Sequence, residues 1–231
     1  MKMHSWILTA AVAIGAQAAS AADITGKITL KGTPSMPEKE LPLDANCGKL
    51  HTEKPKTKFY VFGANGELAD VFVTIKGLKN GNSTGASAPA AVIDQKGCEY
   101  APYVSAVQTG QKISVKNSDT FLHNVHPMPA VSGNKEQNKA QLPGTDLNFV
   151  FDNAETMLKF KCDVHPWMFA YISVVDHPYF SVSAKDGTYK IANVPPGKYT
   201  IEATHRKGRV ETKEIEVKND GVVLDFTIEA K

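Results

Sequence analysis

Lys161-Cys162-Asp163-Val164-His165-Pro166-Trp167-Met168 places a thiol, an imidazole and a thioether within seven residues, and Phe121-Leu122-His123-Asn124-Val125-His126 supplies a second imidazole upstream. Thiolate and thioether are soft donors that hold Cu(I), and imidazole suits both copper oxidation states. Two imidazoles and a thiolate in one plane, with a long bond to a thioether, form a donor set that supports one-electron exchange. The candidate ligands of one mononuclear copper ion are therefore His123, Cys162, His165 and Met168. Zinc would accept two histidines and a cysteine, but methionine is absent from its usual ligands. A binuclear copper centre needs a second cysteine in the loop, and covalent c-type haem needs Cys-x-x-Cys-His; neither pattern occurs. With no nucleophile elbow, phosphate loop or open metal position in the pattern, an enzyme is not expected.

Outward from the two ligand stretches, alternating or β-branched runs recur at 24–30, 58–62, 71–75, 112–115, 147–151, 157–161 and 171–175. Turn formers such as Gly63-Ala64-Asn65-Gly66, Asn117-Ser118-Asp119 and Asp152-Asn153 separate them. Short strands with turn chemistry between them predict an all-β sandwich or barrel. The segment Gly32–Thr57, rich in Pro, Lys and Glu, is expected to wander over the surface, and Ala130–Pro143 to form a short helix or a flap.

The tail has a different rhythm. Tyr189-Lys190-Ile191 follows the turn Asp186-Gly187, Tyr199–Ala203 follows Pro195-Pro196-Gly197, and Val210–Val217 and Val222–Ile228 complete four strands. So few strands with one apolar face cannot stand alone in water. Read together with Ile24-Thr25-Gly26-Lys27 and Leu68–Ile75, the tail resembles the carboxypeptidase regulatory-like β-sandwich module. That resemblance implies that the copper-binding stretch is inserted in, or packed beside, a second small β-sandwich. The expected organisation is a signal peptide over 1–21, opening strands of the regulatory-like sandwich with a surface loop over 22–90, the ligand-bearing domain over 91–176, and closing strands over 177–231.

Lys2, the apolar run Trp6–Ile14 and the small residues ending at Ala19-Ser20-Ala21 have the layout of a secretory signal peptide. No stretch reaches the roughly 20 apolar residues that a membrane-spanning helix requires. A soluble periplasmic protein is the expectation. The formal charge of +2 becomes +1 once Lys2 is removed, and no basic stripe with interleaved aromatics recommends a nucleic-acid partner. Three cysteines leave one over in an exported chain. With Cys162 in a ligand context, Cys47 and Cys98 are the natural disulfide pair, a bridge contributing about 4 kcal/mol by loop-closure entropy. The competing reading makes Cys47, His51 and Cys98 a second metal site.

From Ala91 to Asp176 the chain resembles a cupredoxin of the amicyanin and pseudoazurin type. The matching features are Val107-Gln108-Thr109-Gly110, Asn117, His123-Asn124-Val125-His126 and Cys162-x-x-His165-Pro166-x-Met168, in the family's order. Combined with the flanking strands, the chain also resembles exported bacterial cupredoxin-like proteins labelled methylamine-utilisation proteins. The resemblance implies a Greek-key sandwich with one type 1 copper centre: His123 and His165 as imidazole ligands, Cys162 as thiolate and Met168 as axial thioether. Asn124 would tie the two ligand loops, and Pro166 would stiffen the second by fixing φ. Asp163, where the family carries a neutral residue, is a departure that bears on the potential. By the same resemblance His165 should show its ring edge at the surface, within an apolar patch of Pro127, Met128, Pro129, Pro166 and Trp167 that docks redox protein partners. The expected function is single-electron transfer, with copper delivery or buffering as the alternative.

Overall fold

The computed structural model describes residues 21–78 and 82–231, so the expected signal segment lies outside the described residues apart from Ala21. The chain begins with β1 (Ala22–Lys31), a one-turn helix α1 (Ala45–Gly48) and β2 (Val71–Lys76). The stretch with the candidate ligands follows as β3 (Ala91–Gln95), β4 (Tyr100–Ala101), β5 (Val104–Gln108), β6 (Ile113–Asn117), β7 (His123–Met128), β8 (Lys139–Gln141), β9 (Asp146–Phe149), β10 (Glu155–Lys161) and β11 (Phe169–Val175). The tail adds β12 (Phe180–Val182), β13 (Thr188–Val194), β14 (Gly197–His205), β15 (Val210–Val217), β16 (Val222–Val223) and β17 (Phe226–Glu229). The molecule is all-β, with two sandwiches.

The first sandwich packs the sheet β5-β11-β10-β7-β8 against β4-β3-β6-β9. Strand β10 alternates buried and half-buried residues, so that Leu158 and Phe160 enter a core with Ile93, Val115, Val125, Phe149 and Ile172. Phe160 meets Phe149 and Phe151 edge-on at 5.7 and 6.0 Å, an arrangement that aromatic quadrupoles favour.

The second sandwich is assembled from both ends of the chain. One sheet holds β13-β1-β16 with β17 also on β1, and the other runs β12-β2-β14-β15. Ile24 and Ile28 of β1, Val71, Val73 and Ile75 of β2, and Ile191, Ile201, Phe226 and Ile228 of the tail share one core. Strand β2 is buried on both faces and is apolar except for Thr74 and the exposed Lys76 at its end, as befits a strand with neighbours on both sides in its sheet. Its other face, Phe72 and Thr74, lines a cleft with Glu155 and Val174 of the first sandwich. Strand β15 lies at the edge of its sheet and carries Glu211, Lys213, Glu214 and Glu216, charges that discourage edge-to-edge pairing.

The structure departs from the sequence reading in three elements. Residues 58–62 form no strand, only a single bridge between Phe62 and Leu68. Tyr60 is apolar in pattern because its ring is buried, stacked on His205 at 4.7 Å, with its hydroxyl donating to the Lys207 carbonyl at 2.8 Å. The expected strand 222–228 is split into β16 and β17, with the Asp225 carboxylate accepting the Lys27 N–H at 2.7 Å in the gap. The 130–143 segment is neither a helix nor a loose flap. It ends in β8, which pairs with β7, and the Asn134 side chain holds it to Asn153 and Glu155 at 3.0 Å each.

Candidate metal centre

Strands β10 and β11 form a hairpin whose last pair is Lys161 with Phe169. The seven residues between them, Cys162 to Met168, are closed by the Cys162 N–H donating to the Met168 carbonyl at 3.1 Å and the Met168 N–H donating to His165 at 2.9 Å. Strand β7 runs antiparallel to β10 with His126 opposite Lys161, which brings its first residue, His123, beside that loop. The sheet register thus joins two candidate ligand stretches some forty residues apart.

His123, Cys162 and His165 converge. The two imidazole Nδ1 atoms are 2.9 Å apart, and Cys162 Sγ stands 3.9 Å from His123 Nδ1 and 3.8 Å from His165 Nδ1. With zinc bond lengths as the ruler for a first-row ion, a trigonal arrangement has nitrogen–sulfur edges of about 3.8 Å and a nitrogen–nitrogen edge of about 3.5 Å. The sulfur edges fit as they stand, and the imidazoles would separate by about 0.6 Å on that ruler. Met168 is buried in the same apolar cluster as Cys162, at the closing end of the loop. The residues fit a soft first-row ion.

Hydrogen bonds fix the donors from outside. The Asn124 N–H points at Cys162 Sγ at 3.5 Å, and its side-chain oxygen accepts the Asp163 N–H at 2.5 Å, so Asn124 joins the two loops. The Asp163 charge does not stand free. Lys161 at 2.7 Å, His126 at 2.7 Å and Asn138 at 2.8 Å surround it, and they hold its carboxyl well below the usual range. Tyr100, fully buried, donates to the Asn124 carbonyl at 3.1 Å. Phe121 and Trp167 close the sides, with ring centroids 6.1 and 5.3 Å from that of His165. Pro166 is exposed on the loop.

Each histidine also meets a carboxylate that sequence reasoning missed. Asp119 Oδ2 lies 2.9 Å from His123 Nε2, and Asp44 Oδ2 lies 3.5 Å from His165 Nε2. Burial opposes charge on His123, yet hydrogen bonds to Asp119 and Cys162 carry its pKa up to about 9. Burial likewise pushes the Cys162 thiol up, but His123 and the backbone N–H groups of Asn124, His165 and Val164 bring it below its ordinary value. His165 moves the other way: burial and the neighbouring His123 charge lower it. The hydrogen bonds around Cys162 thus favour its thiolate form more than an ordinary cysteine's surroundings do.

Cys47 and Cys98 are joined, with a Cα–Cα distance of 5.7 Å. The competing Cys47, His51 and Cys98 metal set does not form, since His51 Nε2 is bonded to the Gly97 carbonyl at 2.7 Å. The expected surface around His165 is corrected by the structure. The residue is only 5% exposed. Asp44 caps α1 by accepting from Asn46 and Cys47, and this capped turn, pinned by the disulfide, lies over the ring. Of the expected patch, Trp167 stands beside the ring, with centroids 5.3 Å apart, whereas Pro127, Met128 and Pro129 do not gather around it. Pro127 is buried opposite Phe160, Met128 is exposed further along β7, Pro129 is half-buried beyond it, and Trp167 is half-buried with its indole N–H donating to Cys98 at 3.1 Å. The segment Gly32–Thr57 is polar in composition, which hides the part of it that is held down.

Residues 178–227 match the family described as BOS complex subunit NOMO1-like, second beta sandwich domain. No curated protein matches the chain. Among solved structures, the chain is similar to an oxidised amicyanin variant at 23% identity and a TM-score of 0.34, over 44% of this chain and 97% of that one. A purple cupredoxin from Nitrosopumilus maritimus shares 20% identity over 36% of this chain and 98% of its own, with a TM-score of 0.32. A copper-containing nitrite reductase from Thermus scotoductus SA-01 shares 19% identity over 43% of this chain, which spans only 26% of the reductase, with a TM-score of 0.34. Among the described residues, no helix is long and apolar enough to cross a membrane.

Proposed function

We propose that this chain binds a single copper ion through His123, Cys162, His165 and the thioether of Met168, and carries single electrons between redox proteins in the bacterial periplasm. The observation that supports this most is the buried triangle of two imidazole Nδ1 atoms and one cysteine sulfur, on a loop already closed by its own backbone. What copper supplies in such a set is exchange between Cu(I) and Cu(II). The chain supplies rigidity. Asn124 pins both ligand-bearing stretches, the β10–β11 hairpin fixes the loop ends, and Phe121 and Trp167 keep water from the imidazoles. Ligands held in place move little when charge changes, and that is what an electron carrier needs.

The buried thiolate gives the test. Cu(II)-loaded protein should show an intense visible copper–thiolate band that is absent in Cys162→Ser. A loaded protein without that band, or a Cys162→Ser variant that keeps it, removes the ligand assignment. Slow electron exchange with small redox proteins, together with ready loss of copper to a chelator, would instead mark a delivery or buffering protein.

A further inference from the structure

Asp119 sits in the turn between β6 and β7, four residues before His123, in a position where an acidic side chain reads as a solvated turn former. It is buried. Its backbone N–H donates to the Asn117 side chain at 3.1 Å, and its carboxylate accepts the N–H groups of Gly97 at 2.6 Å and Cys98 at 2.8 Å. The remaining direction of Oδ2 meets His123 Nε2 at 2.9 Å. The carboxylate is therefore fixed from three sides and aimed at the imidazole nitrogen that faces away from Cys162 and His165.

We infer that Asp119 is a positioning residue for the copper reading above: it holds His123 with its proton on Nε2 and its lone pair on Nδ1, and its charge favours Cu(II) over Cu(I). Partners of this kind set the tautomer and ring orientation of a metal-binding histidine and raise its basicity, and their loss typically costs about 10- to 100-fold in metal affinity. A fixed negative charge favours the more positive oxidation state, so the loss should fall mainly on Cu(II). Because Gly97 and Cys98 donate to the same carboxylate, Asp119 also ties His123 to the disulfide-bearing loop. Asp44 is the natural comparison. Its carboxylate is half-exposed, 3.5 Å from His165 Nε2, and already committed to capping α1, so its charge should count for less.

The test compares the copper-loaded full chain with Asp119→Asn and Asp44→Asn, measuring the visible band, Cu(II) and Cu(I) affinities by chelator competition, and the potential by spectroelectrochemistry. Asp119→Asn should keep the band and lose about tenfold or more in Cu(II) affinity with a smaller change for Cu(I), raising the potential by ~59 mV for each factor of ten in the ratio. Asp44→Asn should shift it less. An unchanged affinity ratio in a folded, coloured Asp119→Asn variant overturns the inference, whereas a wild-type chain with no copper–thiolate band overturns the copper reading. Should Asp119→Asn fail to fold, nitrogen-15 NMR of the wild-type Cu(I) form decides. A slowly exchanging His123 Nε2–H supports the inference, and a proton absent from Nε2 or exchanging freely there refutes it.

Discussion

Replacing both bridged cysteines, Cys47→Ala with Cys98→Ala, probes the stability of the first sandwich and the covering of His165 together. The two sulfurs are fully buried in the first core and link positions 51 residues apart. Closing a loop of that length in the unfolded chain is worth about 4 kcal/mol. At a urea dependence of roughly 2 kcal/mol per molar, the unfolding midpoint of that core should fall by about 2 M. Trp167 reports on it directly, since it packs against the same core and donates to the Cys98 carbonyl. The second core contains neither cysteine, and its transition should stay where it is. The same variant tests the cover. Without the bridge, α1 keeps only its Asp44 cap, and imidazole NMR should show His165 passing from 5% exposed to solvent-exchanging. A midpoint loss worth less than about 1 kcal/mol would show that the bridge closes a loop already ordered when unfolded. A His165 that stays protected while stability drops would refute the argument that the disulfide holds the cover in place.

Two other outcomes bear on the second sandwich. His205 is buried, accepts the Gly208 N–H on Nδ1 at 3.0 Å, and has its pKa lowered to about 4 by burial and by Arg206. With an unfolded value near 6.5, the unfolded chain binds more protons between these two values, so stability falls as pH drops through that window. The loss should reach about 2 kcal/mol by pH 5, seen as a falling urea midpoint, and a His205 ring that NMR shows titrating above pH 6 would contradict it. Gly26→Ala should unfold this sandwich preferentially, because a Cβ there would stand 1.9 Å from the Leu224 carbonyl oxygen. The cost should reach or exceed the usual 1–3 kcal/mol of overpacking, given in round terms, and a thermal scan with the second transition unmoved would show that β1 and the 224 segment can part freely.

What the sequence discloses depends on how local each cause is. The hairpin that carries Cys162, His165 and Met168 is a local object, with β-branched and aromatic strands on both sides of a short loop, and it reads directly from its residues. The joining of both chain ends is also legible, since four tail strands expose an apolar face that needs partners, and Ile28 does pair with Phe226. Strand β3 escapes notice. Ala91–Gln95 is short, and its parallel partner β6 is set by contacts distant in sequence. Asp44 and Asp119 escape for a related reason: an acidic residue in a turn looks solvated, and only tertiary packing shows that each is aimed at an imidazole. Tyr60 misleads in the opposite sense, because burial without sheet pairing leaves the same apolar mark as a strand.

The same topology explains how one sandwich tolerates the other within its sequence. The chain leaves the second sandwich after β2 and returns as β12, and these strands are antiparallel neighbours, Phe72 opposite Val182 and Thr74 opposite Phe180. Exit and return points thus lie about one strand spacing apart, roughly 4.8 Å, so the intervening residues form a closed excursion that leaves the host sheet intact. Chain ends that lie close together are what make insertion permissible. The junction is then locked. Arg206, just after β14, donates to the Tyr171 hydroxyl at 2.8 Å and lies 4.5 Å over its ring, with Tyr103 and Phe169 at 5.7 and 5.6 Å. A guanidinium stacked among three rings of the other sandwich is stabilised by cation–π attraction in partly desolvated surroundings and resists hinge motion. Tyr103 and Phe169 also line a small cavity with Trp167 and Met168. The clamp therefore reaches the residues that end the Cys162–Met168 loop, which is where the two sandwiches are tied together.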